Sequence, residues 1–158
     1  MTKADDAILA KAYEHCQSMG ERLTPKRERL LALLLEANEP KSAYDLIADH
    51  ESRYGEAPPA MSVYRMLNFL VDAGLVHKLA TTNQFMACSH IACEHAHQVP
   101  QFLICDECHA VEEVGMPRRL LEQLQASARE VGFDMGNQQL EVHGRCRRCN
   151  DRKRPGLN

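Results

Sequence analysis

The sequence has no tryptophan, and aromatic residues make up only 5% of its 158 residues. Small domains with thin hydrophobic cores commonly need a structural metal ion. Long apolar runs are also missing: no stretch approaches the roughly 20 residues needed to cross a bilayer, and residues 1–6 lack the apolar core of a signal peptide. We therefore expect a cytoplasmic protein with no membrane partner, built from one large domain or two small ones, with two favoured.

A strong net charge is absent as well, because the formal charge is −3 at pH 7. A chain without an overall positive charge can contact nucleic acid only through local basic patches. Seven cysteines in a reducing compartment indicate metal ligation before disulfides. Their odd number leaves at least one thiol outside any pairing scheme.

Four of the cysteines form two C-x-x-C pairs, Cys105 with Cys108 and Cys146 with Cys149. Two thiols at this spacing can close on one ion, and four thiolates form the tetrahedral set that is typical of structural zinc. A thioredoxin-like redox pair would begin a helix, whereas Cys105 ends an apolar run. We therefore predict a closed structural site, because four sulfurs leave no open position for chemistry.

The first 88 residues predict a helical domain that ends in a β-hairpin. Apolar positions recur at helical spacing in residues 4–19, 25–35, 43–48 and 62–71. Thr24 and Ser62 are expected as helix caps, and Gly74 as the end of the fourth helix. Three short helices with a tight turn before the last predict a helix-turn-helix, and the polar turn between residues 75–79 and 84–88 predicts a wing. Alternation places His77 on the polar side of the first wing strand.

Tyr64 and Arg65 lie at the N-terminal end of the predicted recognition helix, the end that enters the major groove. Arginine can bridge guanine O6 and N7, and tyrosine offers its hydroxyl to a phosphate and its ring to a thymine methyl. A basic patch lies at the beginning of the second helix, at Arg22, Lys26, Arg27 and Arg29. This patch predicts a phosphate contact, and a solvated helix face is the alternative.

The composition changes abruptly after the wing. The next segment has no helical or strand period and is rich in metal-ligating residues, namely Cys88, His90, Cys93, His95 and His97. Neutral imidazole with thiolate is the ligand mixture for zinc or a related late transition metal. We predict that residues 89–100 form a hinge that carries metal ligands.

The remaining residues predict an α/β domain over residues 101–150. Strands are expected at residues 101–104, 110–114 and 138–143. Between the second and third strands, residues 117–131 predict a helix that faces the core through Leu120, Leu121, Leu124 and Ala128. Residues 151–158 form a basic tail that we interpret as a solvated end, with phosphate contact as the alternative.

With these motifs established, the chain resembles the ferric uptake regulator (Fur) superfamily and, within it, most closely the zinc uptake regulator branch. The resemblance rests on the ordered motifs at residues 23–27, 62–67, 74–78, 102–108 and 143–149. It implies an α+β protein with an N-terminal winged helix-turn-helix domain and a C-terminal α/β dimerisation domain. It also implies two zinc sites: a structural one on the four cysteines and a regulatory one between the domains.

Carried over position by position, the regulatory ligands are His77, Cys88, one histidine of the hinge and Glu113. His97 is the preferred histidine and His95 the alternative, because the hinge does not match the familiar family spacings. A thiolate at Cys88 distinguishes the zinc branch, since thiolate suits zinc better than iron(II).

The resemblance also adds Tyr44 to the expected DNA contacts, and we include Ser62 with Tyr64, Arg65 and the basic patch. The function it implies is a homodimeric, zinc-activated repressor that binds palindromic operators of zinc-uptake genes, with no enzymatic activity and no small organic substrate. One alternative is a Fur-family sensor of iron, manganese or peroxide, against which Cys88 argues. The other is a zinc hydrolase, which needs an open coordination position and a nearby base.

Overall fold

The computed structural model describes residues 3–91, 99–136 and 139–152, and it divides the chain into two compact units, Met1–Glu94 and His95–Asn158. The elements of the first unit are α1 (Lys3–Ser18), α2 (Pro25–Ala37), α3 (Ala43–Tyr54), α4 (Ala60–Asp72), β1 (Val76–Leu79) and β2 (Gln84–Ala87). Those of the second are β3 (Val99–Cys105), β4 (Val111–Met116), α5 (Arg118–Glu130), β5 (Leu140–Gly144) and α6 (Arg147–Arg152). Within the described ranges, no helix is long and apolar enough to cross a membrane.

Helix α2 lies at the centre of the first unit. Five consecutive residues, from Leu30 to Leu34, are buried, and five consecutive positions span more than one face of a helix. Helix α4 contributes Val63, Leu67 and Leu70, spaced as one apolar stripe. These residues belong to one hydrophobic core that also includes side chains of α1, α3 and the hairpin. The core therefore packs α4, the predicted recognition helix, against α2.

Helix α3 begins with a reciprocal capping box. The backbone N–H of Asp45 donates to Ser42 Oγ at 3.1 Å, and the backbone N–H of Ser42 donates to Asp45 Oδ2 at 2.9 Å. The helix ends at Gly55, whose φ of +76° is the left-handed conformation that glycine adopts without strain. The expected end near residue 48 was therefore wrong, because α3 continues to Tyr54.

Helix α4 begins two residues earlier than predicted. Pro59 takes the N-cap position with φ −57° and ψ 137°, so Ser62 lies inside the first turn and the expectation that Ser62 caps the helix was wrong. Thr24 does take the N-cap position of α2, but its side chain makes no capping hydrogen bond.

The predicted wing is present as an antiparallel hairpin, with Val76 opposite Ala87 and His77 opposite Met86. The expectation that His77 lies on the polar side of β1 was wrong. Alternate residues of a strand share a face, so His77 shares its face with Leu75 and Leu79, both of which are buried. His77 itself is half-buried.

The second unit contains a three-stranded sheet in the order β4-β3-β5, with β3 antiparallel to β4 and parallel to β5. Phe102 and Ile104 are buried on β3, and Leu121 is buried on α5. The prediction that Leu120 and Leu124 face the core was wrong for this chain alone, because they are 51% and 40% exposed. Helix α6 was not predicted.

Candidate metal centres and DNA-binding surface

The four predicted structural ligands come together at one end of the sheet in the second unit. Cys105 is the last residue of β3, and Cys108 lies in the turn that follows it. Parallel pairing places Cys105 beside Gly144, the last residue of β5. Cys146 and Cys149 lie just after that strand, so the sheet register brings the two C-x-x-C pairs together.

The geometry of this cluster fits a tetrahedral ion. The Sγ atoms of Cys108 and Cys146 are 3.7 Å apart, and all four sulfurs lie within 4.8 Å of one another. Four sulfurs at about 2.3 Å from a central zinc would lie about 3.8 Å apart. The donor set and its spacing therefore fit the closed site that the sequence predicts.

The cysteines of the cluster differ in how readily they ionise. Backbone N–H groups of Cys146, Cys108 and Glu107 donate to the sulfur of Cys105 and lower its pKa to about 6. Burial raises the pKa of Cys149 to about 12. A cation bound at the cluster would offset the cost of burying a thiolate at Cys149, because burial opposes uncompensated negative charge.

A second pair of potential ligands lies on the wing. The backbone N–H of Cys88 donates to the carbonyl of Leu75 at 2.9 Å, so Cys88 continues β2 and lies opposite Leu75. This register makes His77 and Cys88 diagonal neighbours on one face of the hairpin. A ring nitrogen of His77 and the Sγ of Cys88 lie within 4.8 Å of each other. The fold thus brings together an imidazole and a thiol that are separated by ten residues in the sequence.

The thiol of Cys88 is buried, with a relative exposure of 7%. The backbone N–H of His90 donates to Cys88 Sγ at 3.4 Å, which fixes the position of the sulfur. Glu113 is half-buried on β4 of the second unit, opposite Phe102. His97, the alternative His95 and Cys93 lie outside the described residues.

The predicted DNA contacts lie on exposed parts of α3 and α4. Ser62 and Arg65 are exposed on α4, whereas Tyr64 is half-buried and packs partly against the core. Tyr44 is 70% exposed in the first turn of α3. Met61, which the sequence interpretation did not single out, is also exposed, one helical turn before Arg65.

Comparison with known proteins places the chain in a family, because the model of the ferric uptake regulator family matches residues 18–150. The chain belongs to the ferric uptake regulator family. It is 34% identical over 142 residues to the zinc uptake regulation protein of Escherichia coli (strain K12), a match that covers 90% of this chain and 81% of that relative. A peroxide operon regulator of Bacillus subtilis (strain 168) is 26% identical and covers 92% of this chain and 95% of the relative.

Solved structures agree with this assignment. A zinc uptake regulator complexed with zinc and DNA has a TM-score of 0.82 at 29% identity, and the match covers 97% of this chain and 99% of that one. The holo form of XcZur has a TM-score of 0.77 at 39% identity, covering 93% and 99%. The predicted resemblance and the α+β fold class are confirmed. The family is one of regulators, in agreement with the expectation that this chain is not an enzyme.

In this Fur-family chain the four cations of the basic patch differ in their surroundings. Arg22 and Lys26 are exposed. The guanidinium of Arg29 pairs with Glu56 at 3.2 Å, and that of Arg27 lies 3.5 Å from the centroid of the Phe69 ring. Sequence spacing alone does not distinguish these four residues, because it does not show which cation contacts a carboxylate or a ring elsewhere in the fold.

Proposed function

We propose that this protein is a zinc-responsive transcriptional repressor that binds palindromic operators of zinc-uptake genes as a zinc-loaded homodimer. The observation that carries the proposal is the pairing of the His77 imidazole with the Cys88 thiol on the hairpin that follows α4. Thiolate favours zinc over iron(II) where the other ligands are imidazole and carboxylate. The zinc uptake regulation protein and the zinc uptake regulator complexed with zinc and DNA, to which this chain is similar, support the same function.

The proposal includes two zinc sites per chain. The structural site comprises the cluster already described, Cys105, Cys108, Cys146 and Cys149. The regulatory site comprises His77, Cys88, His97 and Glu113, with His95 as the alternative histidine. Zinc, when bound, supplies a double positive charge and a preference for four ligands in tetrahedral geometry.

The regulatory ligands are drawn from the wing, the segment after it and β4. Such a set is complete in only one arrangement of these elements, so filling it would favour that arrangement over others. The chain's own contribution is to hold the Cys88 sulfur in place beside His77, through its contact with the N–H of His90. We retain residues 1–88 as the DNA-binding domain, 89–100 as the hinge, 101–150 as the dimerisation domain and 151–158 as a basic tail.

For DNA recognition, we assign Arg65 to a guanine in the major groove, with Ser62 and Tyr64 beside it and Tyr44 at the beginning of α3. Arg22 and Lys26 are assigned to phosphates because their charged side chains are exposed. Each protomer of the dimer would bind one half-site. A regulator whose partner is DNA works where that DNA lies, so we assign the protein to the cytoplasm.

The second unit carries apolar surface that supports the homodimer. Leu103 on β3 is 42% exposed and Val142 on β5 is 47% exposed, in addition to Leu120 and Leu124 on α5. Leu103 and Val142 lie beside each other on neighbouring strands, and adjoining apolar side chains that are exposed indicate a protein contact. We assign this contact to a second copy of the chain.

The experiment begins by selecting a duplex from a random DNA pool with the zinc-loaded wild-type protein. Binding to that duplex is then measured as free zinc, manganese and iron(II) are buffered in separate series, and metal content is measured at each point. The proposal predicts binding that depends on zinc at far lower free concentrations than on the other two metals. Equal or better activation by manganese or iron(II) would favour the alternative sensor.

A further inference from the structure

We infer that Arg27 is a positioning residue for the recognition helix α4: its guanidinium, stacked on Phe69, holds α4 in the rotation that presents Arg65 to DNA. The inference rests on the proposed DNA-binding function and adds to it the residue that orients the recognition helix. It assigns Arg27 a role different from that of its neighbour Lys26, although both are cations in the first turn of α2.

Two contacts fix the Arg27 side chain within the fold. Its guanidinium carbon lies 3.5 Å from the centroid of the Phe69 ring, well inside the roughly 6 Å within which a cation is attracted to a ring face. Its Nη1 donates to the carbonyl of Arg22 at 2.7 Å. The guanidinium is therefore held between the residues that precede α2 and the side of α4, and Arg27 as a whole residue is half-buried.

Phe69 is well placed to transmit this contact to the DNA-facing end of α4. It is half-buried and packs against the core of the first unit, and it lies four residues after Arg65. Residues four apart lie on the same side of a helix, one turn and about 6 Å along the axis from each other. A rotation of α4 that moves Phe69 therefore also moves Arg65.

The apolar stripe of α4 alone does not define this rotation sharply. Burial of Val63, Leu67 and Leu70 is favourable but not directional, whereas a stacked guanidinium and its hydrogen bond require a particular geometry. Just after the last residue of α4, the Nε2 of His15 lies 2.9 Å from the carbonyl oxygen of Ala73. The C-terminal half of α4 is thus held by α2 at Phe69 and by α1 at Ala73.

A phosphate contact and a positioning residue differ in how binding depends on salt. Removing a cation that neutralises a phosphate lowers the slope of log affinity against log salt concentration by about 0.9 per substituted protomer, on any DNA sequence. Removing a positioning residue leaves that slope unchanged and lowers affinity only where Arg65 must reach a particular base. The two roles can therefore be distinguished by measuring the salt slope and the affinity for specific and non-specific DNA in the same binding assay.

The test measures binding to the duplex selected by the zinc-loaded wild type, and to a scrambled duplex, across a series of salt concentrations. For Arg27→Met we expect an affinity loss of about three- to tenfold on the selected duplex, from the strength of such stacked contacts. We expect no loss on scrambled DNA and an unchanged salt slope. The matched control Lys26→Ala should lower the slope and weaken binding to both duplexes by the same factor. An Arg27→Met variant that behaves like Lys26→Ala, or like wild type, would overturn the inference.

If Arg27→Met folds poorly, two further variants distinguish a phosphate contact from a positioning role for Arg27. Arg27→Lys keeps the charge but not the planar guanidinium. If Arg27 contacts a phosphate, affinity for the selected duplex should be retained in this variant. If Arg27 positions α4, that affinity should fall. In a Phe69→Leu background, the Arg27→Lys change should cause no further loss on the selected duplex. Independent losses from the two changes would contradict the inference. Failure of the wild type to select any duplex with zinc would instead refute the proposed function.

Discussion

Replacement of Cys108 by serine should unfold the second unit, and the size of the effect follows from the cluster. Binding of a structural zinc to such a site contributes about 10–16 kcal/mol near neutral pH, as much as or more than the whole stability of a typical small domain, about 5–15 kcal/mol. The apolar core that the structure describes there is small and consists of Phe102, Ile104, Met116 and Leu121 with cluster members Cys105 and Cys149. Loss of one sulfur should therefore release the ion and dissociate the dimer.

The assay compares Cys108→Ser with the matched variant Cys88→Ser. Both change one sulfur to oxygen, and a serine hydroxyl is a poor replacement for thiolate at zinc. For each variant we would measure zinc retained after dialysis, mass by light scattering and the circular dichroism spectrum. Cys88→Ser should remain a folded dimer that keeps its tightly held zinc. If Cys108→Ser kept wild-type zinc content, mass and spectrum, the reasoning about the four-cysteine cluster would be refuted.

Four other substitutions test separate parts of the account. Arg65→Ala should weaken binding to the selected duplex by about 1–3 kcal/mol with zinc content unchanged, and an equal loss on random DNA would make Arg65 a phosphate contact. Glu113→Ala should raise the free zinc needed for DNA binding while the thermal melting curve stays close to that of wild type, and an unchanged zinc response would remove Glu113 from the site. Ser42→Ala should lower the free energy of unfolding in urea by about 1 kcal/mol. Thr24→Ala should lower it by less, because the Thr24 side chain makes no capping hydrogen bond.

Features with a local cause could be predicted from the sequence. The C-x-x-C pairs, the wing turn and most helices follow from spacing, turn residues and apolar periodicity, which act over a few neighbouring positions. The error at the beginning of α4 occurred where two local signals competed. Ser62 is a good cap by composition, but Pro59 already fixes the backbone at the beginning of α4. Helix α3 continues beyond the apolar positions at residues 43–48 because Gly55 is the residue that ends it.

Features that depend on distant parts of the chain were harder to predict. The amphipathic pattern of α5 correctly indicates a helix, but it does not show whether Leu120 and Leu124 face this chain's own core or another surface. The side of the wing on which His77 lies depends on the strand register, and one residue of slip moves it to the other face. The contact between Arg27 and Phe69 joins two helices, so no local pattern separates Arg27 from Lys26.

The most direct test of the central claim is the affinity of the wild-type dimer for its selected duplex as free zinc is buffered, with zinc content measured in the same samples. The account predicts that affinity rises steeply over the range in which zinc content increases from the structural ion alone to both ions. Cys88→Ser should shift this rise to much higher free zinc. An affinity that stays constant while zinc content changes, or a Cys88→Ser curve that coincides with the wild-type curve, would contradict the account.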